Sequence, residues 1–269
     1  MKHNNPVLSG FIITLGLLFL APVFYGLWMS FQTAEDYYSG SYGFSFKNYR
    51  VAFEELNFFR YLINSLIVSG AVTVPGLLTA LMAAYAFARF NFRGQNLAFG
   101  LVVATLMIPS HITLIPNYLN LAEANMLDSY AALILPAIAS GFVCFFLRQY
   151  IRGIPRALDE AAFIDGASSW TVLWRVIVPI AKPAIFSMGL FLFLAEWNSY
   201  IWPLVAVGRE DMYTLQIGLA RIYKLAPGEG LVDWPLVMAA SVITMIPVLI
   251  GFVFVERHLV RGIAMGATK

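Results

Sequence analysis

The sequence predicts an all-α membrane protein with six transmembrane helices, and three observations carry that prediction. The 269 residues are 60% hydrophobic and 12% charged, with a mean hydropathy of +0.75, which excludes an ordinary soluble domain. Six apolar runs have lengths near the ~20 residues that a helix needs to cross a bilayer. The polar stretches between them alternate in basic content, as the two sides of a membrane demand. We read the whole of residues 1–269 as one transmembrane domain.

The first run, 8–31, follows Lys2 and resembles a signal peptide in position. It is too long for a typical apolar signal core and no small-x-small cleavage site follows it, so it reads as a retained span. Residues 32–60 read as a polar, aromatic-rich outer loop with Gly40 and Gly43 as turn formers. That loop either meets a partner outside or anchors in the interface through Tyr and Phe. The second span, 62–87, holds Pro75-Gly76, which predicts a kink that membrane helices tolerate. The third, 97–119, contains Pro109 and Pro116 and should break toward its end, near His111. The fourth covers 131–147, the fifth 184–207, and the sixth 236–255 with Pro247 inside it.

With the loops placed alternately on two sides, eleven Lys and Arg fall on one side and six on the other. The positive-inside rule then predicts that both termini and the polar stretch 148–183 face the cytoplasm. A net charge of +2 is too mild to suggest a nucleic-acid partner. Cys144 stands alone in an apolar run, which excludes an internal disulfide framework and suits packing. His3, His111 and His258 show no metal-ligand spacing.

The stretch from Arg148 to Pro183 reads as two short amphipathic helices meeting at Asp165-Gly166. A helix from about Pro155 to Asp165 would pair Arg156 with Glu160 on one face and pack Ile154, Leu158 and Ala161 on another. Gly166 suits the left-handed position just past a helix end. Ser168 or Ser169 then caps a second helix with Trp170, Leu173, Trp174 and Ile177 on one stripe, and Pro179 and Pro183 should stop it. Such an elbow either docks a partner or lies on lipid headgroups.

Glu196 is the one acid well inside a predicted span. An ionised carboxylate there costs roughly 2.5–3.5 kcal/mol on insertion scales, so it should face the bundle interior or a watery cavity. On a continuous helix Tyr200 would share its face and Asn198 would not, while Trp197 and Trp202 offer flat rings of the kind that bind sugars. Glu196, Asn198, Tyr200 and Trp202 are therefore the candidate substrate-pathway residues; the alternative is that Glu196 hydrogen-bonds a neighbouring helix. No stretch fits G-x-x-x-x-G-K-[ST], so nothing here cradles ATP phosphates, and no catalytic or metal-binding set is apparent.

The residues of the elbow carry a resemblance. Glu160-Ala161-Ala162, Ile164-Asp165-Gly166-Ala167-Ser168, Ile177-Val178-Pro179 and Lys182-Pro183 closely resemble the EAA loop of permease subunits of bacterial ABC importers, with Val178 where the family usually has Leu. The IDGAS form is similar to the carbohydrate-uptake branch. FSFKNYRVAF, Asn64 to Ser69, MIPSHITLIPNYL, WNSYIWPL and the closing RGIAMGATK resemble the same family, so the likeness covers most of the chain. The ending is similar to the smaller of two paired permeases, the maltose-system G-type subunit. The resemblance implies a type I ABC importer permease fold, an inner-membrane subunit that pairs with a second permease, sits on two ATPase subunits and receives cargo from an extracytoplasmic binding protein. It implies that Glu160, Ala161, Ala162, Asp165, Gly166, Ala167, Ser168 and Ser169 contact the ATPase, that the C-terminal tail approaches it, and that ATP and Mg are bound there rather than here. Transport would proceed by alternating access. A mono- or oligosaccharide, a polyol phosphate and a glycerophosphodiester all fit as cargo. The rival readings are an ion-coupled carrier with Glu196 and His111 as relay groups, and a membrane scaffold.

Overall fold

The structure, a computed structural model, describes the backbone of residues 6–109, 111–224 and 232–266, and the side chains of 8–109, 111–223 and 232–253. The described residues form helices and turns and no strands. The first predicted span is α1, Pro6–Met29. The predicted outer loop carries two short helices, α2 (Ala34–Ser39) and α3 (Lys47–Glu54). α2 is nucleated by a capping box in which Asp36 N–H donates to the Thr33 hydroxyl at 3.1 Å and Thr33 N–H donates back to the Asp36 carboxylate at 3.2 Å. Thr33-x-x-Asp36 was thus a legible helix signal that the reading of 32–60 as loop passed over.

α4 (Phe58–Arg89) runs for 32 residues without interruption across Pro75-Gly76. The third predicted span is broken, as its prolines require, into α5 (Gln95–Thr105) and α6 (Leu114–Glu123). At about 1.5 Å per residue, α5 alone falls well short of a bilayer. The fourth is likewise divided: α7 (Tyr130–Ile134) and a 3-10 turn over Leu135–Ala137 meet α8 (Gly141–Arg152) with a bend of 42°.

The elbow follows as α9 (Ala157–Ile164), and Gly166 adopts φ 80°, the left-handed conformation its place after a helix predicts. Beyond it the expectation fails. The short α10 (Ser169–Val172), capped by Ser168, passes through a π-helical turn at Leu173–Ile177 into α11 (Val178–Trp197), giving one apolar helical run of 29 residues. Pro179 and Pro183 do not stop it. Pro179 falls in the first turn of α11, just after the widened turn where Val178 N–H reaches back to Leu173 O, and an apolar setting tolerates Pro183. α12 (Ile201–Ala206), α13 (Leu215–Lys224) and α14 (Trp234–Gly266) complete the chain. Four helices among the described residues are long and apolar enough to cross a membrane, and the bent α7–α8 pair would make a fifth.

The chain divides into two compact units, 1–62 with 217–246 and 63–216 with 247–269. In the first, buried Asn48 on α3 donates its amide to Ser30 O at 2.9 Å and Gln32 O at 2.6 Å, satisfying carbonyls left open at the end of α1. In the second, Leu81, Ala84 and Tyr85 of α4 pack with Val143, Leu147 and Ile151 of α8 and with Val172, Ile177 and Ala181 of the long run. The elbow springs from this core. At the other end of the same unit, the buried Asn64 amide donates to Asp211 O and Tyr213 O at 2.9 and 2.8 Å, and Ser65 Oγ accepts from Leu215 N–H at 2.8 Å.

Candidate functional site: an anchored elbow and a polar cavity

On the elbow, residues 154–169 separate into an anchored face and an exposed tip. Ile154 is buried as predicted, but Leu158 and Ala161 are exposed, and the residue that turns inward is Asp159. The Asp159 carboxylate meets Arg89 Nε, at the end of α4, at 2.5 Å, with both side chains below 10% exposed. Arg89 also donates through Nη2 to Ile154 O at 3.0 Å, and Tyr85, one turn earlier on α4, donates its hydroxyl to Ser169 O at 3.2 Å. Burial holds the Asp159 carboxyl above the ordinary aspartate value, while Arg89 and Arg156 beside it pull the other way. The predicted Arg156–Glu160 pair is not among the ion pairs of the described residues. The two instead line a cleft of about 180 Å³ with Arg89, Asp159 and Phe163.

The outward tip is apolar at its centre. Ile164 is 86% exposed, Phe163 and Leu158 are nearly half exposed, and Glu160, Ala161, Asp165, Gly166 and Ser168 are open to solvent around them. Ala162, Ala167 and Ser169 are half-buried at the base. The tip thus sets an exposed large aliphatic beside acidic residues, on a frame fixed by a buried ion pair. The basic tail predicted to approach the same partner, with Arg257, Arg261 and Lys269, lies outside the residues whose side chains are described, as does Lys2.

The other site is a cavity of about 520 Å³ in the second unit. All four candidate pathway residues line it: Glu196, Asn198, Tyr200 and Trp202. They do not share a helix face. α11 ends at Trp197 and α12 starts at Ile201, so Tyr200 reaches the cavity because the helix breaks, and the i,i+4 reasoning fails. Asn198 is held by its own amide donating to Leu194 O at 2.8 Å, and Trp202 by its indole N–H donating to Ala132 O at 3.1 Å, which leaves its ring to the cavity. Trp197 is buried, stacked on Phe193, and takes no part. His111, Thr113 and Asn117 also line the cavity; the last two, which sequence reasoning missed, lie at and just after the start of α6, beyond the break from α5. Among the described residues, no side chain donates to the Glu196 carboxylate. No three His, Cys, Asp or Glu among the described residues cluster as a metal site.

The described residues are thus helical, with an exposed elbow between apolar helices and a polar cavity at a helix break. Residues 76–265 match the binding-protein-dependent transport system inner membrane component family, and the chain belongs to it, as a permease subunit of an ABC importer. In this family ATP hydrolysis resides on separate subunits, which sets aside the ion-coupled carrier. The chain is 32% identical over 281 aligned residues to the arabinooligosaccharides transport system permease protein AraQ of Halalkalibacterium halodurans, spanning 100% of this chain and 99% of that one. It is 34% identical over 206 residues to the sn-glycerol-3-phosphate transport system permease protein UgpE of Shigella flexneri, spanning 77% and 73%. Among solved structures it superposes with a TM-score of 0.81 and 24% identity, over 96% of this chain and 98% of the other, on a chain of a bacterial ABC transporter that imports the acidic polysaccharide alginate. A further structure of a bacterial alginate ABC transporter, in complex with an alginate pentasaccharide-bound periplasmic protein, matches with a TM-score of 0.67 at 17% identity.

Proposed function

We propose that this chain is one of two permease subunits in an importer with two cytoplasmic ATPase subunits, which bind ATP and Mg, and an extracytoplasmic binding protein that delivers cargo. The chain crosses the inner membrane six times, α5 with α6 forming the third span and α7 with α8 the fourth, and both termini lie in the cytoplasm. The observation that carries this reading is the elbow tip: Ile164, 86% exposed, stands on a base fixed by buried contacts. A free surface of that kind is costly in water unless something covers it. Glu160 and the turn from Asp165 to Ser169 frame the contact with the ATPase, whose closure moves the elbow and swings the cavity from one side to the other.

Glu196, Asn198, Tyr200 and Trp202 line the cargo pathway. The described lining holds a carboxylate, two carboxamides, hydroxyls, an indole and the His111 imidazole, and no Lys or Arg. That chemistry suits an uncharged polyhydroxyl cargo, of the kind the AraQ name denotes, over a phosphate or a uronate, whose anion finds no Lys or Arg in the described lining to pair with.

The test is Gly166→Pro in the reconstituted importer. Gly166 sits at φ 80°, which proline cannot adopt, and forcing it costs about 3 kcal/mol or more. Uptake should fall by two orders of magnitude or more while the ATPase subunits still hydrolyse ATP. Uptake at the unaltered level overturns the reading.

A further inference from the structure

The elbow is not held by its own helices alone. Two residues of α4, Tyr85 and Arg89, lie four apart on one face and grip the elbow at three points: Ile154 O before α9, the Asp159 carboxylate within it, and Ser169 O after the Gly166 turn. Both arms are therefore tied to the same turn of α4. Further along α4 the backbone comes so close to the α7–α8 connection that a Cβ on Gly76 would lie 2.9 Å from Ile138 O. The neighbouring residues Pro136 and Ala137 line the polar cavity.

We propose that Arg89 is a positioning residue for energy coupling: it locks the elbow to α4, so that displacement of the elbow is delivered along α4 to the cavity wall at 136–138. This rests on the reading of the elbow as the ATPase contact and adds the route by which its motion leaves it. A buried ion pair is a poor device for stability alone, since well-packed apolar replacements of such pairs are often neutral or stabilising. What the guanidinium supplies that an apolar side chain does not is direction. Its fork engages a carboxylate and a backbone carbonyl together, in one orientation. Tyr85 fixes the other arm, so α4 and the elbow move as one body, and Gly76 passes that movement on without a side chain in between.

The experiment uses the importer assembled from this chain with its partner permease and ATPase subunits, reconstituted with the binding protein, and reads cargo transported per ATP hydrolysed. Wild type is measured first: absence of ATP-dependent uptake there would defeat the functional reading itself, not this addition to it. Arg89→Met/Asp159→Leu removes both charges and keeps the volume filled. The proposal expects this variant to assemble with the ATPase and to hydrolyse ATP, yet to transport at least about fivefold less per ATP, the low end of ordinary coupling energies. Arg89→Lys, which keeps the charge but not the fork, should fall between the two. An unchanged ratio in the double variant overturns the proposal, because the pair would then be packing only. If the double variant does not assemble, Asp159→Asn, which conserves shape, decides by the same ratio: a fall supports the proposal and an unchanged value overturns it.

Discussion

The elbow and the cavity sit in the same structural unit and are built in opposite ways. The elbow's charged residue is buried and matched: Asp159 has Arg89 against it, and both arms of the turn are tied to α4. The cavity's charged residue, Glu196, lines an open volume of about 520 Å³ at the point where a helix breaks, with no described side chain donating to it. One region is fixed in place and exposes an apolar tip. The other gathers polar side chains around an open volume, as a site must if small molecules are to bind and leave. The difference teaches where each kind of substitution should act. Changes in the elbow should alter how ATP hydrolysis is converted into transport, and changes in the cavity should alter what is transported.

The contrast can be broken first at Glu196. Placing a cation in the cavity, Glu196→Lys, should lower uptake by about 100-fold, since it replaces a hydrogen-bond acceptor for cargo hydroxyls with a longer donor-only group, while Glu196→Gln keeps shape and an acceptor and should lose tenfold or less. Uptake assays with ATPase activity measured in parallel check this, and equal loss in both variants would contradict the acceptor argument. At the elbow, Ile164→Asp puts a carboxylate where an apolar contact is expected and should weaken binding of the ATPase subunits by about 2 kcal/mol, roughly 30-fold, read by co-purification at graded ATPase concentration. The cavity should be untouched.

Legibility divides along the same line. The elbow could be read from the sequence because its turn is local: Gly166 past a helix end and Ser168 as a cap each need only their neighbours in the chain. Its anchoring could not, because Arg89 and Asp159 are seventy residues apart and each alone reads as an ordinary charge. For the same reason Leu158 and Ala161, which the sequence predicts to pack, face solvent, because the ion pair turns Asp159 inward. The cavity residues were found, but by composition. The geometry that unites them is a break between Trp197 and Ile201, and no proline or glycine lies in that interval to announce it. Long spans are legible by hydropathy and the break in the third by its prolines, whereas the fourth, with Pro136 inside it, reads as unbroken and is not.

Two smaller effects sharpen the account away from both sites. Thr33→Ala removes the hydroxyl that caps α2 and should destabilise the first unit by about 1 kcal/mol, seen as a lower midpoint in thermal unfolding of the detergent-solubilised chain. Asp128 accepts from the N–H groups of Arg209 and Gly208, and those hydrogen bonds hold its carboxyl below the ordinary aspartate value. A carboxyl lowered on folding adds stability above its unfolded pKa and loses it as pH falls through the folded one. Because Asp128 is largely solvated, Asp128→Asn should lower the midpoint by only about a degree at pH 7, and the gap should close once the wild-type carboxyl is protonated at strongly acid pH.

The most direct test of the central claim is a photo-activated cross-linker placed at position 164 in the intact importer within native membranes. The account predicts a covalent adduct between this chain and the cytoplasmic ATPase subunit, formed in high yield at 164 and not at buried position 172. Adducts to lipid alone, or to a protein on the outer side of the membrane, would contradict it.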